Sequence, residues 1–164
     1  MSFRDEPLAI KVYTIAVFIA AALFFCLHLQ IQQILTIDFL FFILLHILLE
    51  HLDIPLPRGS GSVAVTFALD LAIIIIFGPV GAVWASFSTL LHIRTFTRFR
   101  EMWHKMIFNA SQIALSTGIA GYAFIASGGI VGHVTMPRDI FPIFISTLVF
   151  FLINTTLVMT VISM

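Results

Sequence analysis

Six apolar stretches, separated by short breaks of polar residues, proline or glycine, fill nearly the whole of this 164-residue chain. Mean hydropathy is +1.12 and only 10% of the residues are charged, whereas soluble domains carry about 25% charged residues. Apolar stretches of this length are typical of helices that reside in hydrocarbon. The pattern therefore predicts a helical membrane protein and argues against a soluble enzyme.

We expect one all-α, polytopic membrane domain of about six helices. Gly78-Pro79-Val80-Gly81 predicts a tight turn, because proline ends the incoming helix and glycine relaxes the backbone. The third and fourth helices would thus form an antiparallel hairpin. Each arm spans only ~24 Å, so two full crossings and a re-entrant hairpin both stay open. The predicted helices cover about 7–30, 34–51, 62–77, 80–95, 103–127 and 138–164.

The distribution of basic residues predicts the orientation. Arg94, Arg98, Arg100 and Lys105 lie close together, and cytoplasmic segments of membrane proteins are enriched in such residues. Counting helices from this segment places both termini and the 53–62 loop in the cytoplasm. The chain reaches Met164 without a polar tail, which favours a module of a longer protein, with a short subunit as the alternative.

Polar side chains inside the apolar stretches are the candidates for function. Each costs up to ~3.5 kcal/mol at membrane depth unless it finds a partner or a cavity. One interpretation is a ligand pocket between the third to sixth helices, and the other is hydrogen bonding between helices. For Asp70 we favour a functional role and expect it to be either neutral or paired with His92 or with amides of the fifth helix. The candidate pocket residues are Thr66, Asp70, Trp84, Ser88, His92, Asn109, Gln112, Ser116 and Asn154.

Other chemistry finds little support in the sequence. His46, Glu50 and His51 do not have the spacing of known zinc motifs, so we interpret them as residues at the membrane interface. No hydrolase, phosphate-binding or cysteine-pair motif is present, and the balanced charge argues against nucleic acid as a partner. We therefore expect no catalytic residues, metal or cofactor in this chain, and the bilayer as its main surroundings.

Five short motifs carry a family resemblance. They are SVAVTFA at 62–68, GPVGA at 78–82, FNASQIALS at 108–116, the pair Ala120-Gly121 and the pair Asn154-Thr155. Over roughly residues 50–164, the chain resembles the N-terminal multi-pass membrane regions of bacterial HD-GYP and GGDEF signalling proteins. In that family a membrane module precedes a cytoplasmic domain that hydrolyses or makes cyclic di-GMP. The resemblance implies a sensory or regulatory module of the bacterial inner membrane, with a cytoplasmic output domain as its partner.

Two other functions remain open at this stage. In helix number and layout the chain is similar to the substrate-binding subunits of energy-coupling-factor vitamin transporters, which implies a small-molecule pocket. The third hypothesis is a structural subunit that packs against other membrane proteins. Co-purifying ATPase components would favour the transporter, and a co-purifying membrane complex would favour the structural subunit.

Overall fold

A computed structural model describes residues 3, 6–27, 35–51, 54–55, 62–63, 66–91 and 93–164. These residues are overwhelmingly helical, which confirms the all-α class. A two-residue antiparallel pair, β1 with β2, joins Ile54 to Val63 and Pro55 to Ser62. The elements are α1 Leu8–Cys26, α2 Ile37–Glu50, β1 Ile54–Pro55, β2 Ser62–Val63, α3 Phe67–Ser86, a 3₁₀ helix Phe87–Leu91, α4 Ile93–Ala126 and α5 Ile140–Ile162.

Local sequence explains where the first two helices begin. Pro7 immediately precedes α1, and its fixed backbone angle suits a helix start. Thr36 caps α2, because its side-chain oxygen accepts a hydrogen bond from the Phe39 amide at 3.2 Å. Asp38 adds a negative charge to the first turn of α2, where the helix dipole stabilises it.

Helix α3 reverses direction at Gly78. This residue has φ 72° and ψ −171°, a conformation that only glycine adopts readily. Asp70 lies eight residues before Gly78 and Ser88 ten residues after it, so a straight helix would separate them by about 27 Å. Both nevertheless lie within hydrogen-bond distance of one imidazole, that of His46, at 3.0 and 2.8 Å. The predicted hairpin is therefore present, with a first arm at 67–77 and a second arm at 79–86.

Two ring–ring contacts and one hydrogen bond give the relative directions of α1, α4 and α5. Phe3 lies against Trp103, and Phe24 lies against Tyr122, with ring centroids 5.1 and 6.2 Å apart. Helices α1 and α4 therefore run in the same direction. The Tyr13 hydroxyl donates a hydrogen bond to the Leu157 carbonyl at 3.1 Å, near the end of α5. Helix α5 thus runs the opposite way, and both chain ends lie at the end of the bundle that contains Trp103.

We call that end the basic end, after the neighbouring residues 94–105, and the opposite end the turn end, after Gly78. Helix α2 starts at the turn end, where Phe39 lies 5.1 Å from Phe77. It then runs towards the basic end, because His46 meets Asp70 deeper in the bundle. Successive helical segments therefore alternate in direction along the chain.

Helix α4 is the centre of the bundle, since α1, α3 and α5 all pack against it. At its turn end the backbones approach closely: a Cβ on Gly121 would lie 2.8 Å from the Pro79 Cα. The core between the hairpin, α4 and α5 includes Ile73, Ile74, Ala120 and Phe124. Helix α4 begins at Ile93, ten residues before the predicted start at 103, so the basic segment is helical. Its arginines, lysine and glutamate are good helix formers.

The expectation of six membrane-crossing helices is not supported. Among the described residues, three stretches are long and apolar enough to cross a membrane: Leu8–Cys26, Phe67–Leu90 and Ile140–Ile162. Helix α2 has only 14 residues, or ~21 Å. The middle stretch contains the reversal at Gly78, and each of its arms is shorter still. Helix α4 is long enough but is not one of these stretches, because it carries many polar side chains. Neighbouring helices bury these side chains.

Candidate functional site

A buried group of three polar side chains links three segments of the fold. Asp70 Oδ1 lies 3.0 Å from His46 Nε2, and Ser88 Oγ lies 2.8 Å from His46 Nδ1. The exposed fractions are 0% for His46, 3% for Asp70 and 4% for Ser88. We call these three residues the polar relay. It ties α2 to the first arm through Asp70 and to the 3₁₀ helix after the second arm through Ser88.

The relay can be hydrogen-bonded internally in more than one protonation state. If Asp70 is ionised, Nε2–H of a neutral His46 donates to the carboxylate, and the Ser88 hydroxyl donates to Nδ1. If Asp70 is protonated, its hydroxyl donates to Nε2, and Nδ1–H donates to Ser88. The second arrangement holds one proton more than the first, so uptake of a proton reverses the direction of both hydrogen bonds. Serine, histidine and aspartate also form hydrolytic triads; the Ser88 of this relay is buried.

The identity of the Asp70 partner differs from the sequence prediction. We expected His92 or amides of the fifth helix, whereas the observed partner is His46 of α2. His92 lies outside the described residues. The interpretation of His46 and Glu50 as interface residues was wrong, because their exposed fractions are only 0% and 6%. Only His51 of that group is exposed, and its Nδ1 lies 2.6 Å from the Ile47 carbonyl oxygen.

The sequence position of His46 could have identified it as a candidate. It lies within a long apolar stretch, so it needs a polar partner for the same reason as Asp70. Sequence spacing cannot identify that partner, because α2 and α3 are separated by a loop. Ser86 and Thr117 were also missed as a pair; their hydroxyl oxygens lie 3.1 Å apart and join the second arm to α4.

Thr66 and Trp84 are not part of the relay and have other contacts. Thr66 is buried just before α3, and its carbonyl accepts the Asp70 amide at 2.9 Å. The Trp84 ring packs against Phe25 of α1, with centroids 4.6 Å apart, whereas Ser88 faces α2. The predicted shared face of Trp84 and Ser88 is therefore wrong. The helix changes to 3₁₀ geometry at Phe87, which rotates successive residues by about 120° instead of about 100°.

The remaining pocket candidates lie along α4 and α5. Gln112 is 2% exposed and donates from Nε2 to Asn109 Oδ1 at 3.3 Å. Its Oε1 is buried and has no hydrogen-bond partner among the described residues. Ser116 donates to the Gln112 carbonyl at 2.7 Å, and Asn154 is half-buried on α5. The candidates thus form at least two groups, and ligand binding by either group stays a prediction.

A cavity lies elsewhere in the bundle. It measures about 220 Å³ and lies between α1, the 3₁₀ helix and α4, where Phe87 and Ser111 line it. Most of its wall is apolar, in contrast to the predicted polar pocket. Among the described residues, no group of three or more histidine, cysteine, aspartate or glutamate side chains could hold a metal ion.

The sequence of this membrane bundle matches a known protein family. The model of the MASE9 family matches residues 22–164. The chain belongs to the MASE9 family. MASE domains are membrane-associated sensory domains, so the predicted membrane location and sensory class are confirmed in this general form. The MASE9 match covers the last five residues of α1 and all later elements. No curated protein and no solved structure matches the chain.

Proposed function

We propose that this MASE9 chain is the membrane-embedded sensory module of a bacterial signalling protein in the cytoplasmic membrane. Its output partner is a cytoplasmic domain that makes or hydrolyses cyclic di-GMP. The observation that carries the proposal is the common position of the two chain ends. Phe3 lies beside Trp103, and Leu157 lies beside Tyr13, at the basic end of the bundle. A domain joined after α5 would therefore begin next to the basic segment.

The charge of that segment supports the orientation. Arg94, Arg98, Arg100 and Lys105 lie in the first part of α4, and basic residues favour the cytoplasmic side. In this orientation the basic end faces the cytoplasm and the turn end faces outward. The membrane part of α4 then starts after Lys105. From there to Ala126, where α4 ends, the helix advances ~32 Å, close to the ~30 Å of a hydrocarbon core.

The polar relay falls near the middle of this span. The Ser86–Thr117 contact brings the end of the second arm beside Thr117, ~18 Å along α4 from Lys105 and ~14 Å from its end at Ala126. Ser88 follows Ser86 by two residues, so the relay lies at similar depth. Ionisable groups at mid-membrane are costly and are commonly functional. We therefore assign the relay as the element through which a stimulus changes the contact between α2 and the hairpin.

The experiment uses the complete natural gene, expressed in cells whose cyclic di-GMP is measured. We expect His46→Gln and Asp70→Asn to change the cyclic di-GMP level at least threefold, because each removes a titratable group of the relay while keeping a similar shape. Two matched controls lie at the ends of the same helix α2: His51→Gln and Asp38→Asn, both at exposed positions. These should leave the level unchanged. Equal behaviour of all four variants, with equal amounts in the membrane, would contradict the assignment of the relay.

The proposal also has a test that is independent of the relay. A complete gene that encodes no cytoplasmic domain would remove the output partner. In that case co-purification distinguishes the remaining alternatives: ATPase components would indicate a transporter subunit, and a stable membrane complex would indicate a structural subunit.

A further inference from the structure

Side chains of α1 and of the 3₁₀ helix line the cavity beside α1. Helix α1 contributes Phe18, Phe25 and two alanines, and the 3₁₀ helix contributes Phe87 from the other side. The rings of Phe25 and Phe87 meet edge to face at 4.7 Å. Ala21 and Ala22 are too small to fill the space between these rings and α4. The cavity thus arises where two small residues lie between large aromatic ones.

The lining gives the chemistry of an occupant. Among the described residues, no charged side chain lines the cavity, and Ser111 contributes the only hydroxyl group. A charged molecule would lose its hydration there without gaining a counter-ion. An uncharged apolar molecule would lose nothing, and a single hydrogen-bonding group on it could reach Ser111. The lining therefore selects for a neutral lipophile.

The size and location narrow the class further. A dry cavity of about 150 Å³ lined by apolar residues is large enough to bind benzene, and this one measures about 220 Å³. It therefore suits a single aromatic ring with a few substituent atoms. Phe18 is 46% exposed and Cys26 is also exposed, so the rim faces the surroundings of the bundle, which in a membrane are lipid. A ligand dissolved in the bilayer could enter from the side.

We propose that this cavity is a binding site for an uncharged, ring-sized lipophile that enters from the bilayer. Such a ligand would contact α1, the end of the hairpin and α4 at once, since all three elements line the site. A change in its occupancy would alter how α1 packs against the hairpin. That this change acts as a sensory input rests on the proposed function; the binding itself does not.

The test uses iodobenzene as the probe and Trp84 as the reporter. The Trp84 ring lies 4.6 Å from Phe25, a wall residue, and a bound iodine atom close to tryptophan quenches its fluorescence. Trp103→Phe leaves Trp84 as the sole tryptophan, because the chain has two. In the purified chain in lipid nanodiscs, we expect quenching that saturates, above a linear part from iodobenzene dissolved in lipid.

Matched variants assign the saturating part to the cavity. Ala22→Leu fills the cavity and should weaken saturable quenching at least tenfold. Ala20→Leu adds the same atoms at an exposed position of α1 and should leave quenching unchanged. If Ala22→Leu does not fold, Ala22→Val adds less volume and should weaken binding by a smaller factor.

Two results would overturn the site. One is quenching that stays linear in every protein, which means that the probe only dissolves in lipid. The other is identical saturation in the Ala22 and Ala20 variants. Either result leaves the proposed sensory function intact, because the readout does not involve signalling. Conversely, intact binding with no output domain in the gene would contradict the proposed function and leave the site standing.

Discussion

Gly121 of α4 lies directly against Pro79, the first residue of the second hairpin arm: an added Cβ would come within 2.8 Å of the Pro79 Cα and 3.0 Å of its nitrogen. Both are backbone atoms, which cannot move aside as a flexible side chain can. The closeness of this contact fixes the turn of the hairpin on α4.

We predict that Gly121→Leu destabilises the bundle by about 2–3 kcal/mol or more, because overpacking a close contact forces the backbone apart. Ala126→Leu is the matched control, at an exposed position near the end of the same helix, and should change stability by less than about 0.5 kcal/mol. Reversible unfolding in mixed micelles, followed by circular dichroism, measures both. Equal stability of the two variants would mean that the hairpin does not rest on Gly121.

The second prediction concerns energetic coupling within the relay. His46→Ala leaves the Asp70 carboxyl group buried without its 3.0 Å partner, and such a loss typically costs about 3–5 kcal/mol. We also compare His46→Leu, Asp70→Leu and the variant that carries both changes. The double variant should lose clearly less unfolding free energy than the sum of the two single losses, because it leaves neither the imidazole nor the carboxyl group buried without its partner. Unfolding of the two single variants and the double variant completes the cycle. Strict additivity would show that the two residues do not act as a pair.

A related change tests whether the relay responds to protons. Asp70→Asn preserves the shape of the side chain and removes its titratable carboxyl group. Any pH dependence of signalling output that arises at this site should disappear in the variant and persist in Asp38→Asn. Output measured across pH 5–8 provides the comparison. An unchanged pH profile would assign Asp70 to packing.

The orientation can be tested at residue 98. In a Cys26→Ser background, Arg98→Cys supplies a single thiol in the basic segment, because Cys26 is the only natural cysteine. An impermeant thiol reagent should react with it in opened cells or inverted vesicles and not from outside intact cells. Labelling from outside would reverse the proposed topology and place the output domain on the wrong side.

The contact of the N-terminal residues with α4 should depend on pH. Burial lowers the pKa of His104, the positive charge of Lys105 lowers it further, and Glu6 at 3.8 Å opposes this in part. A lowered pKa means that the docked state binds fewer protons than the undocked state, in which the pKa is about 6.5. Docking is therefore strongest above about pH 6.5 and weakens as the pH falls below it.

Trp103 reports this change, because its ring lies 5.1 Å from Phe3. In a Trp84→Phe protein, emission should shift to longer wavelength as the pH falls from about 7.5 to 5. His104→Gln should remove the shift, since glutamine does not titrate in this range. A shift of the same size in the glutamine variant would exclude His104 as its origin.

The sequence was sufficient for features that depend on local pattern. The apolar stretches predicted an all-α membrane bundle, and the glycine and proline at 78–79 predicted the reversal. Asp70 was singled out because an acidic side chain in an apolar stretch needs a polar partner or a cavity. Its partner could not be predicted, because helical spacing assigns residues to faces and does not say which faces meet. The contact with His46 depends on how α2 docks on the hairpin.

Other errors had equally specific causes. Helix α4 extends through the basic segment, where we had placed a break, because charge marks a membrane boundary but does not end a helix. Trp84 and Ser88 diverge because a change to 3₁₀ geometry at Phe87 leaves no clear mark in the sequence. Six membrane-crossing helices were expected from apolarity alone. The two arms beside Gly78 are too short to count as candidate spans, and α4 is too polar.

The central position of α4 has a consequence for biogenesis. Its buried polar residues, among them Gln112, Ser116 and Thr117, make it the helix least able to partition into lipid alone, since hydrocarbon offers them no partners. The hairpin supplies part of the shielding before α4 is synthesised, and α5 supplies the rest afterwards, through contacts such as Ser146 to the Ala120 carbonyl at 3.0 Å. We expect α4 to leave the insertion machinery together with its neighbours. Chains truncated before α5 should therefore be degraded by membrane quality control.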